Sequence, residues 1–181
     1  MCGIAGIFSQ KKQRNTLSEI AIKMASAISY RGPDDSGVWA DNNENIALSH
    51  RRLSIIDISN NGHQPMKSSC ARYVMVFNGE IYNYIQLRKE LEKVTFHRWK
   101  GNSDSEVLIQ CISEWGLKAT LKKCSGMFAL GLWDQKEKKL CLARDRFGEK
   151  PLYYGNIGKD FVFGSTSFDW WFTCIPSLVN K

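Results

Sequence analysis

Strand-like runs at both ends of the chain, enclosing two or three amphipathic helices, predict an α/β (α+β) sandwich in which sheets pack together and helices lie outside. Three observations carry this expectation. The first eight residues read as a strand, the middle of the chain shows apolar stripes at helical spacing, and from Gly126 onward the texture is that of successive hairpins. No internal repeat and no low-complexity linker interrupts the 181 residues, of which 43% are hydrophobic. That length supports one substantial core and is short for two.

In order, the chain opens with the strand ending at Phe8, and Gln10 to Arg14 is a polar turn. Thr16-Leu17-Ser18-Glu19 has the form of a capping box. Leu17, Ile20, Ala21, Met24, Ala25 and Ile28 then form one apolar helix stripe, which Arg31-Gly32-Pro33-Asp34-Asp35-Ser36-Gly37 ends. Short strands are expected at Gly37 to Ala40 and Ile46 to His50, joined through Asp41-Asn42-Asn43. An extended segment, Arg51 to Asp57, runs into the loop Asn60 to Pro65. Tyr73 to Phe77 is an apolar strand expected to end on Asn78-Gly79-Glu80, and helical spacing resumes through Ile85, Leu87, Leu91 and Val94. Ser103-Asp104-Ser105-Glu106 is a second capping box, for a helix that buries Val107, Leu108, Cys111, Ile112 and Trp115 and stops at Gly116. Met127 to Trp133 and Leu140 to Arg144 flank the charged turn Asp134 to Lys138, and Leu152 to Tyr154 pairs with Phe161 to Phe163.

The formal charge of +7 comes from Lys and Arg scattered in twos and threes among acids. A solvated surface is expected, with no nucleic-acid partner. The six cysteines form no CxxC pair and have no His at ligand spacing, so they are read as cytosolic thiols rather than a disulfide or zinc framework, with no metal site. No signal-like opening and no apolar run of membrane length is present, so a soluble cytoplasmic protein without a membrane partner is expected.

Cys2 is a candidate nucleophile. Removal of Met1 places a thiol and a free α-amino group on one residue, and an amine that titrates near 7.7 to 8.0 is about one-tenth neutral at pH 7. Such an amine acts as base for its own thiol, directly or through a water. Alone, Cys2 before a strand is more simply an ordinary core thiol.

Seven segments line up in order: Cys2-Gly3-Ile4-Ala5-Gly6-Ile7-Phe8; Arg31-Gly32-Pro33-Asp34; His50-Arg51-Arg52-Leu53-Ser54-Ile55-Ile56-Asp57; Phe77-Asn78-Gly79-Glu80-Ile81-Tyr82-Asn83; Ser103-Asp104-Ser105-Glu106; Gly126-Met127-Phe128-Ala129; and Arg144 to Tyr154. Together they resemble the glutamine-hydrolysing half of asparagine synthase, a class-II glutamine amidotransferase domain of the N-terminal-nucleophile αββα fold. The resemblance implies two packed, mainly antiparallel sheets with helices outside. It gives Cys2 the role of nucleophile and base. The Asn78 side-chain amide and the Gly79 backbone N–H become the oxyanion hole, Arg52 the partner of the glutamine α-carboxylate, and Asp104 the acceptor for its α-ammonium. Leu53 and Ile55 line the glutamine pocket through backbone groups, and Glu80 lies in it. Taken singly, Asn-Gly is a turn and Asp104 a helix-end acid. Arg144, Asp145 and Arg146 are explained equally well by a buried ion-pair role, and His50, His63 and His97 need no catalytic one.

The resemblance covers Cys2 to about Ser165. From Thr166 to Lys181, where the family continues into a synthetase domain, the pattern is lost, which points to a divergent tail from a frameshifted or shortened frame. ATP and Mg are therefore expected only for a synthetase domain or subunit, and no cofactor in residues 1–165. L-glutamine is the expected small-molecule partner, and a homodimer is compatible with the sequence. The competing expectations are an inactive remnant and an amidotransferase domain that serves an acceptor other than aspartate. Exposed Phe168, Trp170, Trp171, Phe172 and Ile175 would enlarge an apolar patch and limit solubility.

Overall fold

Alternation along β1 (Gly3–Phe8) sets the layering: Ala5 and Ile7 face a helix on one side of their sheet, while Ile4 and Phe8 face a second sheet on the other. The computed structural model describes residues 1–9, 17–54 and 59–167. One sheet has the order β2-β3-β1-β9-β8, formed with β2 (Asp35–Asp41), β3 (Ile46–Arg52), β8 (Tyr153–Ile157) and β9 (Asp160–Gly164). The other has the order β4-β5-β6-β7, from β4 (Met66–Lys67), β5 (Tyr73–Ile81), β6 (Gly126–Asp134) and β7 (Lys139–Arg144). Every pairing between these strands is antiparallel. Helix α1 (Leu17–Ala27) covers the first sheet. The second is covered by α3 (Asp104–Trp115), flanked by α2 (Tyr84–Glu92) and α4 (Leu117–Lys123). The expected four-layer αββα sandwich is the result.

Three apolar clusters fill the three gaps between layers. All six residues of the α1 stripe are buried, from Leu17 to Ile28. Between the sheets lie Ile4, Ile46, Leu48, Val74, Val76, Ala129, Trp133 and Phe163. The Phe163 ring fits only because both facing strands carry glycine there: a Cβ at Gly6 or at Gly131 would collide with it. Against the second sheet, α3 is buried at every residue from Asp104 to Ile112.

Several local expectations need correction. Strand β5 does not end at Asn78-Gly79-Glu80; it runs through them to Ile81, paired with Ala129, Phe128 and Met127. The buried face of α2 is Leu87 and Leu91, whereas Ile85 and Val94 are exposed: Ile85 lies off that face, and Val94 lies beyond the end of the helix at Glu92. Glu106 does not return to the Ser103 N–H. Ser103 accepts from Glu106 N, and the Glu106 carboxylate accepts from the backbone of Lys100 and Gly101. Gly116 ends α3 with φ 80°, and α4 follows at once, a helix too short for its periodicity to show in the sequence. The first capping box starts at Thr16 and, like the 168–181 tail, lies outside the described residues.

Candidate active site

The inward-facing positions of four strands run out at the same end of the sandwich. On β1 the inter-sheet series is Cys2 and Ile4; on β3 it is Ile46, Leu48, His50 and Arg52; on β5, Val74, Val76, Asn78 and Glu80; on β6, Trp133, Ala129 and Met127. The apolar members make the core, and the last polar members line a cleft of about 110 Å³ together with Leu53, Gly79, Asp104 and Lys150. Sheet parity thus brings together Cys2, Arg52, Asn78 and Glu80, and Leu53 after β3, Gly79 on the β5 edge and Asp104 at the start of α3 complete the lining; Ile55 lies outside the described residues.

Cys2 is half-buried, and its sulfur sits between backbone groups of Leu53: the Leu53 N–H donates to Sγ over 3.4 Å, and Sγ lies 3.5 Å from the Leu53 carbonyl. Its own carbonyl accepts from Arg31 Nε at 3.2 Å. Met1 lines the cleft beside it.

The open edge of β5 supplies donors. β4 pairs with only Met75 and Val74, which leaves the rest of that edge without a strand. Phe77 N–H donates there to Gln64 Oε1 at 2.6 Å, and Ile81 N–H donates to Asp104 Oδ2 at 2.9 Å. Alternation directs the Gly79 N–H to the same edge, between those two. A Cβ on Gly79 would strike the backbone of Met127 and Phe128, so this strand segment accepts no side chain there. The neighbouring Asn78 is 2% exposed, and its Nδ2 is a buried donor with no partner among the described residues. Buried amide donors are ordinarily paired, so an unpaired one at a cleft wall is a group held ready for an acceptor.

Arg52 is the one buried arginine among the described residues. Its Nη1 donates to the Ser59 carbonyl at 2.8 Å, and the guanidinium packs flat on Gly62, where any Cβ would displace it. Asp104, 6% exposed, accepts from Ile81 N–H and, at 2.8 Å, from Ser105 N–H. Burial raises its carboxyl above the usual range, against those backbone bonds, and the nearby Glu80 charge adds to the rise. It therefore supports the start of α3 and also presents a carboxylate that a cation would stabilise.

Three further residues line or contact the site without any sequence signal that singles them out: Gln64, Arg31 and Lys150. Gln64 follows an Asn/Gly/His loop with no periodic pattern, Arg31 opens a turn motif whose glycine and proline carry the signal, and Lys150 closes the segment that begins at Arg144. That last segment is not an ion-pair cluster. Burial would raise the Asp145 carboxyl, yet backbone N–H groups of Glu149, Lys150, Phe128 and Phe147, at 2.9 to 3.2 Å, hold it below the usual carboxylate range. Arg144 donates to the Lys150 carbonyl at 2.6 Å and to the Gly148 carbonyl, and Arg146 reaches the Cys124 carbonyl.

No histidine lines the cleft. His50 donates from Nε2 to the Phe77 carbonyl at 3.1 Å, His63 pairs with Asp35 at 2.7 Å, and His97 lies against Trp99. Cys111 and Cys124 are buried, which pushes their thiols up to about 12 and about 11, so they are unsuited to nucleophilic work. Cys70 is exposed, and no disulfide joins the described cysteines. Among the described residues no group of His, Cys, Asp and Glu is placed to hold a metal, and no helix is long and apolar enough to cross a membrane.

The αββα sandwich, with Cys2 immediately before its first strand, has the architecture of the N-terminal-nucleophile fold. Among solved structures, glutamine phosphoribosylpyrophosphate amidotransferase from B. subtilis, complexed with ADP and GMP, superposes with a TM-score of 0.77 over 97% of this chain and 44% of that one, at 20% identity. The chain belongs to the glutamine amidotransferase domain family, which it matches over residues 1–170. It is 40% identical over 167 residues to asparagine synthetase [glutamine-hydrolyzing] 3 of Bacillus subtilis (strain 168), covering 91% of this chain and 26% of the relative. To putative asparagine synthetase [glutamine-hydrolyzing] 2 of Methanocaldococcus jannaschii it is 36% identical, covering 91% of this chain and 34% of the relative. The chain thus spans between a quarter and about a third of these relatives' length.

Proposed function

We propose that residues 1–165 form the glutaminase unit of an asparagine-synthase-type amidotransferase and release ammonia from L-glutamine through a Cys2 thioester. The observation that carries this reading is the convergence of the Cys2 thiol, the unpartnered Asn78 amide, Arg52 and Asp104 on one cleft. Arg52 receives the substrate α-carboxylate and Asp104 its α-ammonium, which directs the side-chain amide toward Cys2. With Met1 removed, the α-amine takes the thiol proton and Sγ bonds to the amide carbon. The resulting oxyanion accepts from Asn78 Nδ2 and the Gly79 N–H. Collapse breaks the C–N bond, the α-ammonium returns its proton to the leaving nitrogen, and ammonia departs. Water then hydrolyses the thioester by the same route and yields glutamate. The relatives are named glutamine-hydrolyzing asparagine synthetases, which supports asparagine formation as the use of the ammonia; on this reading an ATP-activated aspartate is the acceptor, on a synthetase region outside residues 1–165.

Purified chain whose N-terminus is shown by mass to be Cys2 is expected to release ammonia from glutamine, and Cys2→Ala to release none. Undiminished turnover by Cys2→Ala would remove the mechanism. Ammonia release by protein that keeps Met1 would remove the role of the amine.

A further inference from the structure

Lys150 is the one buried lysine among the described residues, 8% exposed, and it lines the cleft that holds Cys2. No carboxylate lies within ion-pair distance of it among those residues. Its only side-chain partner there is the Met1 thioether, 3.5 Å from Nζ. An ammonium taken out of water is costly unless something compensates it, and a thioether is a weak acceptor. Met1 is also the residue whose removal the proposed chemistry requires. Processing therefore removes that partner and leaves the Lys150 ammonium facing the new N-terminus.

The side chain is not needed to build its own loop. The bonds that fix Arg144 to Lys150 use the Lys150 backbone alone: the Asp145 carboxylate takes the N–H groups of Phe147, Glu149 and Lys150, and Arg144 takes the Lys150 carbonyl. The conformation of this loop presents Nζ to the cleft. Five bonds separate the Met1 sulfur from the Cys2 nitrogen, so Nζ is within roughly 10 Å of that nitrogen, inside about one Debye length even at ordinary ionic strength.

We propose that Lys150 is a positioning residue that acts through Cys2: its positive charge disfavours the protonated α-amine and favours the thiolate, so that the thiol proton leaves at neutral pH. This rests on the glutaminase reading above. Lys150 neither gives nor takes a proton; its charge disfavours the form of Cys2 that carries both the thiol proton and the α-ammonium, and so lowers the pH at which that form loses its first proton. The other charged groups that face the cleft are Arg52 from β3, Glu80 from β5 and Asp104 from α3, while Arg31 reaches the Cys2 carbonyl from the turn after α1. The two acids work against Lys150 and the two arginines with it, so its removal shifts the balance toward the protonated pair.

The test uses the full chain with Met1 removed, as wild type, Lys150→Met and Lys150→Arg. Lys150→Met keeps the buried stem and removes the charge, and Lys150→Arg restores the charge. The rate of iodoacetamide alkylation at Cys2 is followed against pH, with peptide mass mapping to separate it from the exposed Cys70, alongside kcat/KM for glutamine. Lys150→Met is expected to move the alkylation midpoint and the acid limb of kcat/KM upward by about half to one pH unit. Lys150→Arg is expected to return both to the wild-type position. Superimposable wild-type and Lys150→Met alkylation profiles overturn the proposal, and so does an equal shift in both variants. Should wild type alkylate at Cys2 yet hydrolyse no glutamine, the glutaminase reading fails on its own, and the alkylation profiles still decide the role of Lys150.

Discussion

The Cys2 thiol, the proposed nucleophile, is held by the Leu53 N–H and carbonyl on either side of Sγ. Its role is separable from that of the other cysteines. Cys70→Ala and Cys141→Ala should leave ammonia release intact, and Cys111→Ala should lower stability by about 1 kcal/mol without loss of turnover per folded molecule. Asn78→Ala removes one proposed oxyanion donor and should reduce kcat by roughly 10² to 10³-fold. Arg52→Lys and Asp104→Asn should act mainly on KM, because the roles proposed for these residues are to hold the ends of glutamine rather than the amide. Steady-state kinetics check all three, and the reverse division between kcat and KM would contradict the assignment. Asp104 adds a pH signature. Its carboxyl is raised by burial, and in the proposed pose the α-ammonium needs its charged form. The KM of wild type should therefore climb as pH falls toward that raised value, whereas the KM of Asp104→Asn should stay flat over the same interval.

At the scale of elements, the cleft exists because β4 is two residues long and leaves the edge of β5 open beyond Met75. That edge holds Gln64, the Gly79 N–H and Asp104 in one row. Much of this was legible in the sequence. The apolar strand from Tyr73 to Phe77 leads into the polar Asn78-Gly79-Glu80, and the capping box places Asp104 at a helix start. What was not legible were contacts made across the chain by residues without periodic signal. Gln64 bonds a backbone group 13 positions away, and the bed on which Arg52 lies is Gly62, in a loop that reads only as a turn. Asn-Gly ordinarily signals a turn, which puts the end of β5 too early, whereas here Gly79 is selected by the close approach of β6. Gly62 gives this a test away from the chemistry. Gly62→Ala should push the Arg52 guanidinium out of place and raise KM for glutamine several-fold, with kcat at saturation little changed. A KM equal to that of wild type would show that Arg52 has room to spare.

The whole molecule depends on two sheets staying in register face to face, since each contributes half of the cleft. Phe163, clamped between Gly6 and Gly131, fixes the spacing by apolar contact. His50 fixes it by a polar one, since it sits on β3 and its Nε2 donates across the gap to the Phe77 carbonyl of β5. Its ring is 1% exposed. Burial lowers its titration from 6.5 to about 4, against the opposing effect of the Phe77 bond. The sign follows from proton counting. Above pH 6.5 His50 is neutral in both folded and unfolded chains, and its contribution to stability is fully present. Between 6.5 and about 4 the unfolded chain binds a proton that the folded one refuses, so stability drains away as pH falls, by on the order of 3 kcal/mol once the lower limit is passed. Asp35 and Asp145, whose carboxyls are held low, lose their share only further into acid, and Asp104, raised by burial, acts in the opposite direction. The comparison is therefore made against His50→Gln, whose amide can still donate to Phe77 but cannot titrate. Urea unfolding at about pH 7.5 and about pH 4.5, on either side of most of that interval, should show wild type losing substantially more stability than His50→Gln does. Equal losses would mean that the acid sensitivity of the sandwich arises elsewhere and that the bridge between its sheets is indifferent to pH.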